Sequence, residues 1–103
     1  MNITEIKARC RDDLIEVTQH ILIRCQQRNI TYKEIKEAIV NGEIIEEYPD
    51  DYPYPSCLVL GYTIKNRVLH VVVGISDTRI WLITAYEPSI EQWNNDFKVR
   101  KDR

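Results

Sequence analysis

Glycine and cysteine are scarce in this chain, with three of each among 103 residues. So few glycines leave no Gly-rich loop to cradle a phosphate with backbone N–H groups. The cysteines, Cys10, Cys25 and Cys57, are odd in number and widely spaced, and no Cys-x-x-Cys pair occurs. That excludes a disulfide framework and a cysteine zinc site, and each reads as a small apolar residue. No apolar run approaches the ~20 residues that span a bilayer. The start, Met1-Asn2-Ile3-Thr4-Glu5, lacks the basic region and apolar stretch of a signal peptide, so a cytoplasmic protein with no membrane partner is expected. An excess of positive charge is missing too. Fourteen Lys and Arg face sixteen Asp and Glu, for a formal net charge of −2. Proteins that grip long nucleic acids through many phosphates are usually basic, so strong sequence-independent binding is disfavoured. The charges are segregated, however. Acid dominates Glu43 to Asp51, and the tail Lys98-Val99-Arg100-Lys101-Asp102-Arg103 is basic.

What is present suits one domain with one modest core, covering residues 1–103. Ile3, Ile6 and Cys10 fall on one side of a first helix over residues 3–12. Leu14-Ile15-Glu16-Val17 is a short extended candidate. Thr18 is placed to cap a second helix ending near Arg28-Asn29. Thr31-Tyr32-Lys33-Glu34 has the capping-box pattern, and Ile35, Ala38 and Ile39 supply the apolar stripe of a third helix. Asn41-Gly42 should stop it, with Gly42 at positive φ. Four strands then follow, over 43–48, 56–64, 67–75 and 79–87, with a stiff loop containing Pro49, Pro53 and Pro55 after the first. Ser89 is a candidate cap for a last helix carrying Trp93 and Phe97 at i, i+4. The expected fold class is therefore α+β: N-terminal helices packed on a four-stranded antiparallel meander, then a C-terminal helix.

If Lys65-Asn66 and Asp77-Thr78 are two-residue loops, a register follows. Gly61 then lies opposite His70, and His70 opposite Ala85, which leaves space beside the histidine. One face would carry Cys57, Val59, Gly61, His70, Val72, Gly74, Trp81, Ile83 and Ala85. The other would carry Leu58, Leu60, Tyr62, Leu69, Val71, Val73, Ile75, Ile80, Leu82, Thr84 and Tyr86. The second set holds more large aliphatics and is the expected core face.

The chemistry-bearing pattern is His20-x3-Arg24-x3-Arg28. At about 100° per residue, His20, Arg24, Gln27 and Arg28 share one helix face, and Ile21, Leu22 and Cys25 another. An imidazole beside two guanidinium groups is a set that binds and processes phosphate; a solvated helix face carries the same residues. Histidine titrates near neutrality, and arginine donates two parallel hydrogen bonds to phosphate oxygens. Metal-independent RNA cleavage needs a base, an acid and such cations. His70 is the second candidate proton carrier, and serves equally as a core histidine bonded inside the sheet. Tyr48, Tyr52, Tyr54 and Trp93 are of the type that stacks bases, or packs under the proline loop. Glu43, Glu46, Glu47, Asp50 and Asp51 lack the spacing of a calcium loop and read as a solvated acidic edge. No metal and no cofactor is expected.

These motifs, with Tyr52-Pro53-Tyr54-Pro55-Ser56-Cys57-Leu58-Val59-Leu60-Gly61-Tyr62, Leu69-His70-Val71-Val72-Val73 and Trp81-Leu82-Ile83-Thr84-Ala85-Tyr86-Glu87-Pro88, resemble a family of small bacterial domains of unknown function, number 4258. The resemblance covers residues 18–98. More distantly it extends to RelE-like and BrnT-like toxins, small α+β ribonucleases of toxin–antitoxin modules. It implies a ribonuclease toxin acting on RNA, restrained by an antitoxin-like partner with a zinc finger. His20, Arg24, Arg28 and His70 would be catalytic, with Tyr86, Thr84 and Gly61 lining the substrate. The rival reading is a non-catalytic interaction module of the same fold. Geometry discriminates: His20, Arg24 and His70 converging in one concave site favours catalysis, and their pointing apart favours interaction.

Overall fold

The computed structural model describes residues 1–102; Arg103 of the basic tail lies outside the described residues. Three helices precede most of the sheet: α1 (Ile3–Ala8), α2 (Gln19–Gln27) and α3 (Tyr32–Val40). α1 is shorter than its apolar spacing suggested, but Ile6 is buried and Ile3 and Cys10 pack against the core. Thr18 caps α2 by accepting from the Ile21 N–H at 3.3 Å. At the other end Asn29 adopts φ 57°. The Asn29 N–H bonds to Gln26 O and the Ile30 N–H to Cys25 O, a Schellman closure that turns the chain sharply into α3. The expected capping box forms at Thr31 and Glu34.

The sheet has five strands, not four: β1 (Ile15–Val17), β2 (Glu43–Tyr48), β3 (Ser56–Tyr62), β4 (Val68–Ile75) and β5 (Ile80–Tyr86). Their order is β1-β5-β4-β3-β2. The last four form the antiparallel meander, and β1 adds to β5 in parallel through Ile15↔Ile80, Glu16↔Trp81 and Val17↔Leu82. The expected C-terminal helix is not formed among the described residues. Consecutive Asn94, Asn95 and Asp96 supply turn chemistry instead. The Asn94 side chain accepts the N–H groups of Lys98 and Val99, and Trp93 bridges to Arg100 across the turn.

The expected register is off by one residue on both sides of β4. Leu60, not Gly61, lies opposite His70, because the β3–β4 connection is a three-residue loop with Thr63 bonded to Arg67 and Asn66 at φ 65°. The β4–β5 loop does have two residues, with Ser76 bonded to Arg79. Ile83 is then skipped by a bulge, so His70 meets Tyr86 rather than Ala85. No space is left beside His70, which is fully buried. The expected core face holds for Leu69, Val71, Val73, Ile80 and Leu82. Cys57, Val59 and, past the bulge, Ala85 join them under the helices, while Leu58 and Leu60 face the other way.

Close approach of α3 to β3 fixes that arrangement. A Cβ on Gly61 would sit 1.8 Å from the Ala38 carbonyl oxygen. Gly42 ends α3 as expected but does not adopt positive φ. Its use is the same close approach, since a Cβ there would lie 2.5 Å from Val59 Cγ1 and 2.6 Å from Ala38 O. Gly61→Ala is expected to cost at least about 2 kcal/mol in urea denaturation, because backbone and not a flexible side chain obstructs it. Gly74→Ala, whose nearest obstacle is the end of Ile83 at 3.3 Å, should stay within about 1 kcal/mol of the parent. Equal stability of the two variants would contradict this packing.

Candidate functional site

α2 buries Ile21 and Cys25 against the sheet and leaves His20, Leu22, Ile23 and Arg24 exposed. Leu22, placed on the apolar face by its spacing, is about half exposed. The side chains of His20 and Arg24 have no hydrogen-bond or ion-pair partner among the described residues. Arg28, one turn further on the same flank, is anchored. It donates from Nη1 to Ala85 O at 2.8 Å and to Thr84 Oγ1 at 3.2 Å. β1 stops pairing at Leu82, so these groups sit on the stretch of β5 edge that no strand covers. The flank carrying His20 and Arg24 therefore turns toward an open sheet edge.

Arg28 is oriented by its own backbone neighbours. Arg67, at the start of β4, donates to Asn29 O at 2.7 Å and Arg28 O at 3.3 Å. The same guanidinium pairs with Glu34 at 3.1 Å and Glu87 at 2.8 Å. It thus ties the α2–α3 corner to the ends of β4 and β5. The Thr31 N–H, and then Arg67, hold the Glu34 carboxyl below its ordinary range. Nothing in local spacing could have marked Arg67, whose partner Glu34 is 33 residues away.

His70 lies elsewhere. Its β4 neighbours Leu69 and Val71 face the helices, so the imidazole projects from the opposite sheet face. Nε2 is 2.9 Å from Phe97 O, and Nδ1 is 3.3 Å from Tyr86 Oη. A carbonyl can only accept, so Nε2 carries the proton and Nδ1 accepts from the tyrosine. The Trp93 ring packs edge-on at 4.5 Å. Burial pushes the His70 pKa below its ordinary value, against the opposing bond to Phe97. Tyr86, one of the expected substrate-lining residues, is occupied by this contact, and burial raises its pKa. Gly61, another, is sealed beneath α3. Thr84 is the one that stands beside Arg28.

The segregated charges pair with one another. Lys98 meets Glu43 at 2.8 Å, Arg100 meets Glu46 at 3.1 Å, and the N-terminal ammonium meets Glu47 at 3.4 Å. Arg100 also lies over the Trp93 ring at 4.7 Å. Burial, then the neighbouring Glu46, pushes the Tyr48 hydroxyl up to about 12. The acidic strand β2 is thus partly neutralised by the C-terminal segment. Among the described residues no three His, Cys, Asp or Glu side chains gather into a metal site. No described helix is long and apolar enough to cross a membrane.

A groove of about 400 Å³ opens at the far end of the same sheet face as His70. Tyr52, Pro53 and Tyr54 of the proline loop line it, with Gly74, Trp81, Ile83, Asp51 and Thr18. Trp81 was not among the candidate aromatics read from the sequence. Its exposure follows from its place opposite Gly74, which offers no side chain to cover it.

Segments α2 through β5 coincide with a recognised sequence family. The model of a domain of unknown function, DUF4258, matches residues 17–87, and the chain belongs to that family. No curated protein and no solved structure matches the chain. The match takes in His20, Arg24, Arg28, His70, Thr84 and Tyr86, and leaves out Trp93 and Phe97, which cover His70, and Arg100, which lies over Trp93.

A pH dependence follows from His70. Its folded pKa is lowered, so the unfolded chain binds the proton more readily. The stability contribution is complete above the unfolded value near 6.5 and is lost as pH falls through the folded pKa. Urea denaturation between pH 7.5 and 5 should therefore show falling stability. His70→Asn should be less stable at pH 7.5 by about 1–3 kcal/mol and flatter with pH. Parallel curves for the two proteins would refute the buried neutral imidazole.

Proposed function

We propose that this chain is a non-catalytic interaction module with a RelE/BrnT-like arrangement of helices and meander, working in the cytoplasm with a protein partner. One observation carries the reading. His70 is buried with both ring nitrogens bonded, on the sheet face opposite the helices, while His20 and Arg24 lie on α2. The two histidines do not share a site, so the acid–base pair that RNA cleavage would use is divided. The solvent side of α2 mixes His20 and Arg24 with half-exposed Leu22 and Ile23. Arginine among apolar side chains is characteristic of protein–protein contact surfaces. An antitoxin-like protein presenting carboxylates and apolar groups fits that surface.

A specific observation favours a second reading, a metal-independent ribonuclease toxin. The His20 and Arg24 side chains have no partner among the described residues and share a flank with Arg28 and Thr84. There Arg24 would bind phosphate and His20 alone would carry protons. Cleavage of a short RNA by the wild type, His20→Ala and Arg24→Ala, at matched foldedness, separates the readings. The interaction module predicts no cleavage above background in any of the three. Cleavage by the wild type that falls at least ~10²-fold in Arg24→Ala, the scale of losing one charge-stabilising group, would overturn it. Both variants should fold normally, because exposed polar residues without partners contribute little to stability.

A further inference from the structure

The aromatic groove beside the proline loop is a built surface with no occupant among the described residues. Gly74 lines it together with the Tyr54 and Trp81 rings, which stack on one another with centroids 6.0 Å apart at 25°. Tyr52 stands almost free, 96% exposed, and Ile83, released by the bulge, is 43% exposed. The hydroxyls of Tyr52 and Tyr54 and the Trp81 indole N–H make no hydrogen bond among the described residues. The three residues that carry these donors all line the groove. Asp51 supplies the charge. One of its carboxylate oxygens accepts from the Ser56 hydroxyl, and the other takes no bond among the described residues. Asp50 stands next to it, exposed.

We propose that this groove binds an extended, proline-containing peptide segment carrying an arginine or lysine. Each feature matches that ligand. A polyproline II segment has no internal hydrogen bonds, so its carbonyls are free to accept from the tyrosine hydroxyls and the indole N–H. Proline rings pack on flat aromatic faces, and the segment is ordered in advance, so little entropy is lost on docking. The free Asp51 oxygen meets the basic side chain in a charge-assisted bond. Single-stranded RNA is the other ligand that uses aromatic platforms, but Asp50 and Asp51 would repel its phosphates. The inference rests on the interaction reading and gives it a ligand. It concerns a surface apart from the His20 and Arg24 flank, so the RNA-cleavage assay and the experiment below can fail separately.

Trp81 is the partly exposed tryptophan and Trp93 the buried one, so tryptophan fluorescence reports on the groove. The intact chain is titrated with a ten-residue proline-rich peptide containing one arginine, with its arginine→glutamate counterpart, and with oligouridylate. Saturable binding of the arginine peptide is expected, with the glutamate peptide weaker. Tyr52→Ala should lose ~10-fold or more in affinity without unfolding, since truncated interface aromatics commonly cost that much. Asp51→Asn keeps an acceptor for Ser56 and should erase the preference for arginine over glutamate. The proposal is overturned by no binding at millimolar peptide, by binding that Tyr52→Ala leaves unchanged, or by preferential binding of oligouridylate.

Discussion

The contact of Ala38 with Gly61 decides which way this sheet faces. The α3 backbone comes so close to β3 that position 61 has no room for a side chain. Gly42 repeats the constraint where α3 hands over to β2. With Gly61 under the helix, alternation along β3 puts Val59 and Cys57 beneath the helices and Leu58 and Leu60 on the other face. The pairing of Leu60 with His70 then carries the imidazole to that other face as well. The position of the histidine is thus a consequence of helix–sheet packing.

Once on that face, His70 becomes an anchor for the C-terminal segment. Phe97 offers its carbonyl at φ 63°, a conformation that bulky residues rarely adopt. Trp93 closes over the ring, Arg100 closes over Trp93, and Glu46 holds Arg100. The chain therefore uses its acidic strand and basic tail on each other. The formal net charge of −2 conceals opposed residues, Glu43 and Glu46 against Lys98 and Arg100, that meet within the chain.

Signals carried by neighbouring residues were legible in the sequence, and those carried by long-range geometry were not. Thr18, Thr31 and Glu34 announce their helix caps, and the end of α2 at Arg28 and Asn29 follows from an asparagine that tolerates the left-handed region. The four meander strands follow from β-branched runs between turn residues. The extended candidate at 14–17 forms β1, but local pattern could not show that it joins the sheet, in parallel beside β5. The register failed for two small causes, an extra loop residue ahead of Asn66 and a bulge at Ile83. Either alone moves side chains across the sheet. At the C-terminus the i, i+4 spacing of Trp93 and Phe97 lost to three adjacent turn-forming side chains. Of the candidate site, the α2 flank and the anchoring of Arg28 beside Thr84 survive as one surface. His70 and Tyr86 form another, and Arg67 was invisible until the fold brought Glu34 and Glu87 to it.

The division of the two histidines between opposite sides of the sheet is the central claim, and it can be tested at the level of atoms. Nitrogen-15 NMR of the His70 imidazole reads tautomer and protonation directly. The account predicts a neutral ring with the proton on Nε2, bonded to Phe97 O, persisting at pH 7 and unmoved by phosphate or a short RNA. A His70 ring that is protonated at pH 7, that carries its proton on Nδ1, or that shifts when phosphate is added would contradict it.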